Sequence, residues 1–301
     1  MYSLCCISNV LKERGICFGT TTKKRFLQLE RKEAVALTSS KALQNISTTL
    51  QTIQYCYDNG WNYRISCNLF PLLSLPEANL VYEEYPDYIQ IEELFQECSE
   101  FVQRTNIRLS NHPDQFIVLG SEKDSVTANS IRELEINAWI MDKLGCTRSY
   151  YNPINLHVNK SGDCRTIAER VLSNLKLCSI GVQSRLVLEN EDKGSWNVTN
   201  MLEYFGSHLP ITYDNLHDEC NLSLKSGELS FKECAETWTV RGVKPLFHYS
   251  ESDINNVNNV NKRAHALRPR GLPQNYTCDV DFEIELKDKD NAILCLQLLG
   301  K

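Results

Sequence analysis

The chain has 301 residues, of which 42% are hydrophobic and 23% charged, with a formal net charge of −6. Such a composition belongs to a globular protein large enough for one sizeable core; no run of about 18 or more apolar residues marks a membrane span, and the first residues lack the basic start, apolar core and cleavage site of a secretory signal, so an intracellular protein is expected. The acidic balance gives no global attraction to nucleic acid, although local basic stretches, from Lys262-Arg263 to Arg268 and Arg270, remain able to meet phosphates.

Apolar, mostly β-branched runs read as strands at 3–8, 62–67, 106–110, 153–158, 184–189, 210–214, 244–249 and 279–286, as for strands buried on both faces. Between them, helical patterns fall near 33–58, 90–104, 124–144, 164–178, 196–206, 227–241 and 289–299. The first strand runs into Ser8-Asn9-Val10-Leu11 with no Gly-x-Gly, which argues against a nucleotide-binding doubly wound sheet. After the second strand, residues 71–88, with Pro71, Pro76 and Pro86, read as a long loop on the active-site face. The third strand leads into Ser110-Asn111-His112, the fourth closes on His157 and the fifth on Glu189. The sixth closes on Asp214, with His217 a short turn beyond, and the seventh on His248, with His265 following. Between seven and eight, the Asn-rich segment 252–262 reads as an exposed loop insertion. The eighth strand alternates Asp279, Asp281, Glu283 and Glu285 on one face, and such a face turned into a barrel must meet cations. Eight strands alternating with helices predict an α/β fold, a single-domain (β/α)8 TIM barrel spanning 1–301. The thirteen cysteines form no Cys-x-x-Cys pair and read as small buried hydrophobes of a reducing compartment.

A lone histidine at a strand end is more often a hydrogen-bonded structural residue than a ligand, and Asp214-x-x-His217 is a spacing that chance supplies readily. The recurrence is what carries weight: of six histidines only His208 falls elsewhere. In a barrel, strand C-termini gather at one face, so His112, His157, Glu189, Asp214, His217, His248 and Glu285 are expected to share a metal centre. They outnumber the ligands of one tetrahedral ion, which points to two or three divalent ions, an arrangement suited to phosphodiester hydrolysis. A sugar isomerase or epimerase barrel, holding two ions with Glu, Asp and His, satisfies the same residues.

Taken together, Tyr63-Arg64-Ile65-Ser66, His112-Pro113-Asp114-Gln115-Phe116, Leu156-His157 with Gly162-Asp163, Leu188-Glu189-Asn190, Asp214-x-x-His217, His248-Tyr249-Ser250, His265 and Glu285-Leu286-Lys287-Asp288-Lys289 resemble the ultraviolet damage endonuclease family, barrel relatives of endonuclease IV. The order and spacing match along nearly the whole chain. The resemblance implies an ATP-independent DNA repair endonuclease that cuts on the 5′ side of cyclobutane pyrimidine dimers and 6-4 photoproducts in damaged double-stranded DNA. It implies divalent ions, typically Mn2+ with Zn2+ or Mg2+ as alternatives, and a monomer with no obligate protein partner. Glu189 and Glu285 are then expected to bridge ions. His265 becomes a ligand or a phosphate contact, and Lys287 a phosphate contact or an anchor for a ligand carboxylate. Gln115 and Phe116 resemble the pair that probes the lesion, with Arg64 and Lys160 also placed at the DNA; on its residues alone, Phe116 reads instead as the start of the apolar run Ile117-Val118-Leu119. Many family members carry a lysine two residues before the strand-seven histidine, where Leu246 stands here and Lys244 lies two further back. Gly-Gly after the strand-four histidine and a lysine after Gly-Asp are likewise replaced, by Val158-Asn159-Lys160 and Cys164. An abasic-site endonuclease, or a barrel that binds damaged DNA without turnover, are the neighbouring readings.

Overall fold

The computed structural model describes residues 1–253 and 262–300, so most of the Asn-rich segment expected as an insertion lies outside the described residues. The strands are β1 (Tyr2–Cys5), β2 (Asn62–Ile65), β3 (Leu109–Asn111), β4 (Ile154–Leu156), β5 (Leu186–Glu189), β6 (Ile211–Thr212), β7 (Leu246–Tyr249) and β8 (Asp281–Ile284). All ladder pairs are parallel, in the order β6-β5-β4-β3-β2-β1-β8-β7. The remaining seam is bridged where the His248 N–H donates to the Tyr213 carbonyl at 3.0 Å, beside a parallel pairing of Asp214 with His248. The ring is the expected single-domain (β/α)8 TIM barrel.

Helices α1 (Asn9–Glu13), α2 (Lys23–Leu27), α3 (Arg31–Asp58), α4 (Tyr88–Thr105), α5 (Asp124–Lys143), α6 (Cys164–Leu175), α7 (Ile180–Gln183), α8 (Val198–Phe205), α9 (Asn215–Cys220), α10 (Gly227–Thr239) and α11 (Asp290–Leu299) fill the connections. The long ones follow their apolar stripes: in α3, Ala42, Ile46, Thr49, Ile53 and Cys56 recur every three or four residues and are fully buried. No helix among the described residues is long and apolar enough to cross a membrane. All thirteen cysteines are free thiols, and Cys5, Cys56, Cys98, Cys146, Cys178 and Cys234 are buried. The 71–88 segment carries two single 3-10 turns, Pro76–Ala78 and Tyr82–Glu84. Aromatic contacts tie it to α4 and α5: Tyr82 lies 5.0 Å from Trp139 and 5.4 Å from Phe70, just before the segment, and Phe70 in turn lies 5.9 Å from Phe95 and 5.2 Å from Trp139, centroid to centroid.

The strands are buried on both faces, but the faces differ. Leu4, Tyr63, Leu109, Leu156, Leu188, Phe247 and Phe282 join the apolar core shared with the helices. Most of the alternate residues are polar and bond one another: Arg64 with Glu283, Ser110 with Glu283, Asn155 with Glu189, and Arg108 with Asp281; Val187 and Leu246 share this face. The eighth-strand carboxylates thus meet cations, as their alternation requires.

Arg108 anchors the end of the barrel away from the strand C-termini. Its buried guanidinium donates to Asp281 Oδ2 at 3.1 Å and to the carbonyls of Tyr151 (2.8 Å), Lys244 (2.9 Å) and Pro245 (3.4 Å). Without Arg108, Asp281 would keep the Met1 ammonium and Lys244, each at 3.0 Å, while the three buried carbonyls would lose their donor. Arg108→Ala is therefore expected to lose about 1–3 kcal/mol of stability, read as a lower urea midpoint; a midpoint unchanged from the parent would show that the remaining pairs suffice.

Candidate metal centre

Local structure aims each strand-end residue. Asp214 is the N-cap of α9: its Oδ1 accepts the His217 N–H at 2.7 Å, which fixes the turn between the two and leaves Oδ2 buried with no hydrogen-bond partner. Asn190, directly after β5, clamps the neighbouring strand end by accepting from the Asp214 N–H (2.8 Å) and donating to the Asp214 carbonyl (3.0 Å). Asp163 caps α6 by accepting the Thr166 N–H at 2.8 Å, so the Gly162-Asp163 motif serves a helix start.

These elements converge on Glu189, whose side chain is 1% exposed. His112 Nε2 and His157 Nε2 stand 3.1 and 3.6 Å from its Oε2, while His217 Nδ1 and His248 Nδ1 stand 3.2 and 3.1 Å from its Oε1. Glu285 Oε1 lies 3.5 Å from His248 Nδ1. Three donor groups, His112/Glu189/His248, His157/Glu189/His217 and Asp214/His248/Glu285, each hold ligand atoms within 4.8 Å of one another. All seven residues expected as ligands fall in these groups. Imidazole nitrogen with carboxylate oxygen is the donor chemistry of Zn2+, Mn2+ and Fe2+, and the unpartnered Asp214 Oδ2 and His157 Nδ1 are orphaned polar atoms of the kind an ion satisfies. The residues present fit a divalent metal centre.

The charges divide in a way that suits ion binding. Burial, reinforced by the neighbouring histidines, pushes His157 down to about 4 despite Glu189, so it is a neutral donor at neutral pH. Burial works against charge on His217 too, yet Asp214 and Glu189 overcome it and hold the ring up at about 11. His248 is likewise raised well above its usual value by Glu189 and Glu285 against the effect of burial. In the metal-free chain, protons on His217 and His248 therefore balance the buried carboxylates, and an ion would displace them.

The other expected residues are more spread out. Gln115 and Phe116 lie at the rim of a cavity of about 560 Å3 that His112, His157, His217 and Glu285 also line. Phe116 is 81% exposed, whereas Ile117 and Leu119 of the same run are buried, so the aromatic does not open the core. On its other side Phe116 borders a second cavity, with Leu72, Leu75 and Pro76 of the 71–88 segment. Lys160 follows Asn159, which lines the first cavity, and lies 3.8 Å from Glu122. Arg64 lines that same cavity, with its guanidinium paired to Glu283 and Glu285. His265 sits beside the cluster with Nδ1 2.7 Å from the Glu285 carbonyl, outside the three donor groups. Lys287 pairs with Asp253 at 3.3 Å rather than with a cluster carboxylate. Arg268 and Arg270 are paired with Asp288 and Glu251. Leu246 is buried in β7, and Lys244 pairs with Asp279 and Asp281, so it does not stand in for a lysine at Leu246. His208 is exposed beyond α8. Sequence reasoning passed over Asn155 and Ser110, which hold Glu189 and Glu283, and over Glu191, which lines the cavity and which burial raises to about 7. The two-residue step from Asn155 to His157, and from Glu189 to Glu191, is the signal that could have found two of them.

The family model described as UV-endonuclease UvdE matches residues 2–300. A UV DNA damage endonuclease of Nostoc sp. is 30% identical over 296 residues, 95% of this chain and 86% of the relative. The UV DNA damage endonuclease of Bacillus velezensis is 28% identical over 92% of this chain and 87% of its own length. The UV-damage endonuclease of Schizosaccharomyces pombe is 26% identical over 96% of this chain, which covers 48% of that protein. Among solved structures, SacUVDE superposes with a TM-score of 0.80 at 24% identity, over 100% of this chain and 99% of that one. Endonuclease IV from Thermus thermophilus shares the barrel at a TM-score of 0.56 and 15% identity, over 99% and 98%.

Proposed function

The chain belongs to the UV-endonuclease UvdE family, whose named members are DNA endonucleases acting on ultraviolet damage, and from that membership we propose that it is a divalent-metal-dependent enzyme that incises duplex DNA on the 5′ side of cyclobutane pyrimidine dimers and 6-4 photoproducts. The observation that carries the metal dependence is the gathering of four imidazoles around the one buried carboxylate of Glu189. Mn2+ is the ion expected, and donor groups that share Glu189 and His248 favour more than one ion.

Bound there, divalent ions supply Lewis-acid stabilisation of charge on phosphate oxygens and a nucleophile at neutral pH. The chain's own residues do the rest. His112, His157, Glu189, Asp214, His217, His248 and Glu285 hold the ions, with Asn155 and Asn190 fixing Glu189 and Asp214 in place. Phe116 offers an exposed aromatic face, and Gln115 an amide, to bases that a lesion leaves poorly stacked. Lys160, Lys287 and His265, the last with Nδ1 2.7 Å from the Glu285 carbonyl, are the groups we assign to the phosphate backbone.

The test is nicking of irradiated, unirradiated and abasic plasmid in Mn2+, with the new ends assayed for a polymerase-extendable 3′-hydroxyl. Nicking of the irradiated plasmid with extendable ends is expected. Cutting confined to the abasic plasmid would move the assignment to abasic-site cleavage, and binding without cutting would make the chain a damage-binding barrel. Within the same assay, Phe116→Ala is expected to weaken binding of irradiated duplex by roughly 5- to 150-fold, the equivalent of about 1–3 kcal/mol of lost stacking. Gel-shift titration measures it; equal affinity of parent and variant would remove Phe116 from the lesion contact.

A further inference from the structure

Glu283 is buried in the middle of β8, 1% exposed, and cannot touch DNA. Both of its oxygens are already engaged. One accepts from the Ser110 hydroxyl; the other faces His248 Nε2 at 3.0 Å and Arg64 Nη1 at 2.9 Å. Three donors thus share its two oxygens, and Glu283 belongs to none of the three donor groups. Its neighbours nevertheless do: His248 belongs to two of them, and Arg64 reaches from Glu283 to Glu285.

An ionised carboxylate only accepts hydrogen bonds, so the His248 nitrogen facing it carries a proton. A neutral imidazole has one donor and one acceptor. With Nε2 as the donor, the lone pair falls on Nδ1, which lies 3.1 Å from Glu189 and 3.5 Å from Glu285, on the side where the ligands converge. The opposite tautomer would set a lone pair against Glu283. We propose that Glu283 is a positioning residue of the metal centre: it holds His248 as the Nε2-protonated tautomer that turns Nδ1 toward the ion, while Arg64 braces Glu283 and Glu285 as one unit. This rests on the metal-dependent reading above and adds a role for two residues that lie behind the ligands.

An outer carboxylate behind a ligating histidine typically contributes about 10–100-fold in metal affinity. Glu283→Ala is expected to weaken Mn2+ binding by that range in calorimetric titration without DNA, and Glu283→Gln, which keeps an acceptor for Nε2–H, by less. In kinetics both variants lower kcat at limiting Mn2+ and leave KM for irradiated duplex unchanged. In the Zn2+-loaded parent, a long-range proton–nitrogen correlation spectrum is expected to show the His248 proton on Nε2. Wild-type affinity in Glu283→Ala, or a His248 proton on Nδ1 in the loaded parent, overturns the proposal. If the Ala variant does not fold, the Gln variant and the parent spectrum decide it. Parent protein that takes up Mn2+ yet leaves irradiated duplex intact refutes the proposed activity, while the affinity comparison still decides Glu283.

Discussion

Glu189→Gln is expected to reduce nicking of irradiated duplex by more than about a hundredfold, beyond the loss typical of an outer-shell partner. The reason is its position: the carboxylate is shared by two of the three donor groups and is faced by four imidazoles. An amide keeps the shape but offers one neutral oxygen where two charged ones stood, so it cannot serve two ions. Single-turnover nicking at saturating Mn2+ measures the effect, with circular dichroism confirming the fold. Undiminished nicking would sink the assignment of this cluster as the catalytic centre.

Chelation is expected to abolish nicking outright, and Mn2+ to restore it. It also has a signature apart from activity. Any ion that binds only the folded chain stabilises it, by about 2.7 kcal/mol at a free concentration 100 times Kd, which in a chain of this size is a rise in Tm of several degrees. Uptake should release protons, because His217 and His248 carry them in the metal-free state. Affinity therefore falls as pH is lowered. A Tm and a nicking rate that ignore both chelator and Mn2+ would leave the cluster a charge network and no more.

Much of this was legible in the residues. The barrel could be read because apolar runs and helical stripes alternate, and α3 to α5 and α10 fall close to where their periodicity places them. The short helices α1, α2, α7 and α9 could not, since four to six residues hold too little periodicity to register. The residues of the cluster were visible because a strand end is a geometric address. The partners of Arg64 were not legible. It lies one residue before the end of β2, and only the spatial neighbourhood of β2 and β8, brought together through β1, pairs it with Glu283 and Glu285. Lys287 shows the same limit, because its partner Asp253 is far away in sequence. Even the reading of the strands as apolar on both sides was half right: the helix-facing residues are largely so, while most axis-facing ones, Val187 and Leu246 apart, are polar.

That inner lining has a thermodynamic consequence. Where many barrels fill the axis with Val, Ile and Leu, this one stacks Arg108 and Asp281 below Arg64, Ser110 and Glu283, with Asn155 and Glu189 alongside. On unfolding, exposed apolar surface raises the heat capacity and exposed polar surface lowers it. A polar axis therefore makes ΔCp smaller than in an aliphatic barrel of equal length. Its stability curve is flatter, holding its value over a wider span of temperature and retreating less in the cold.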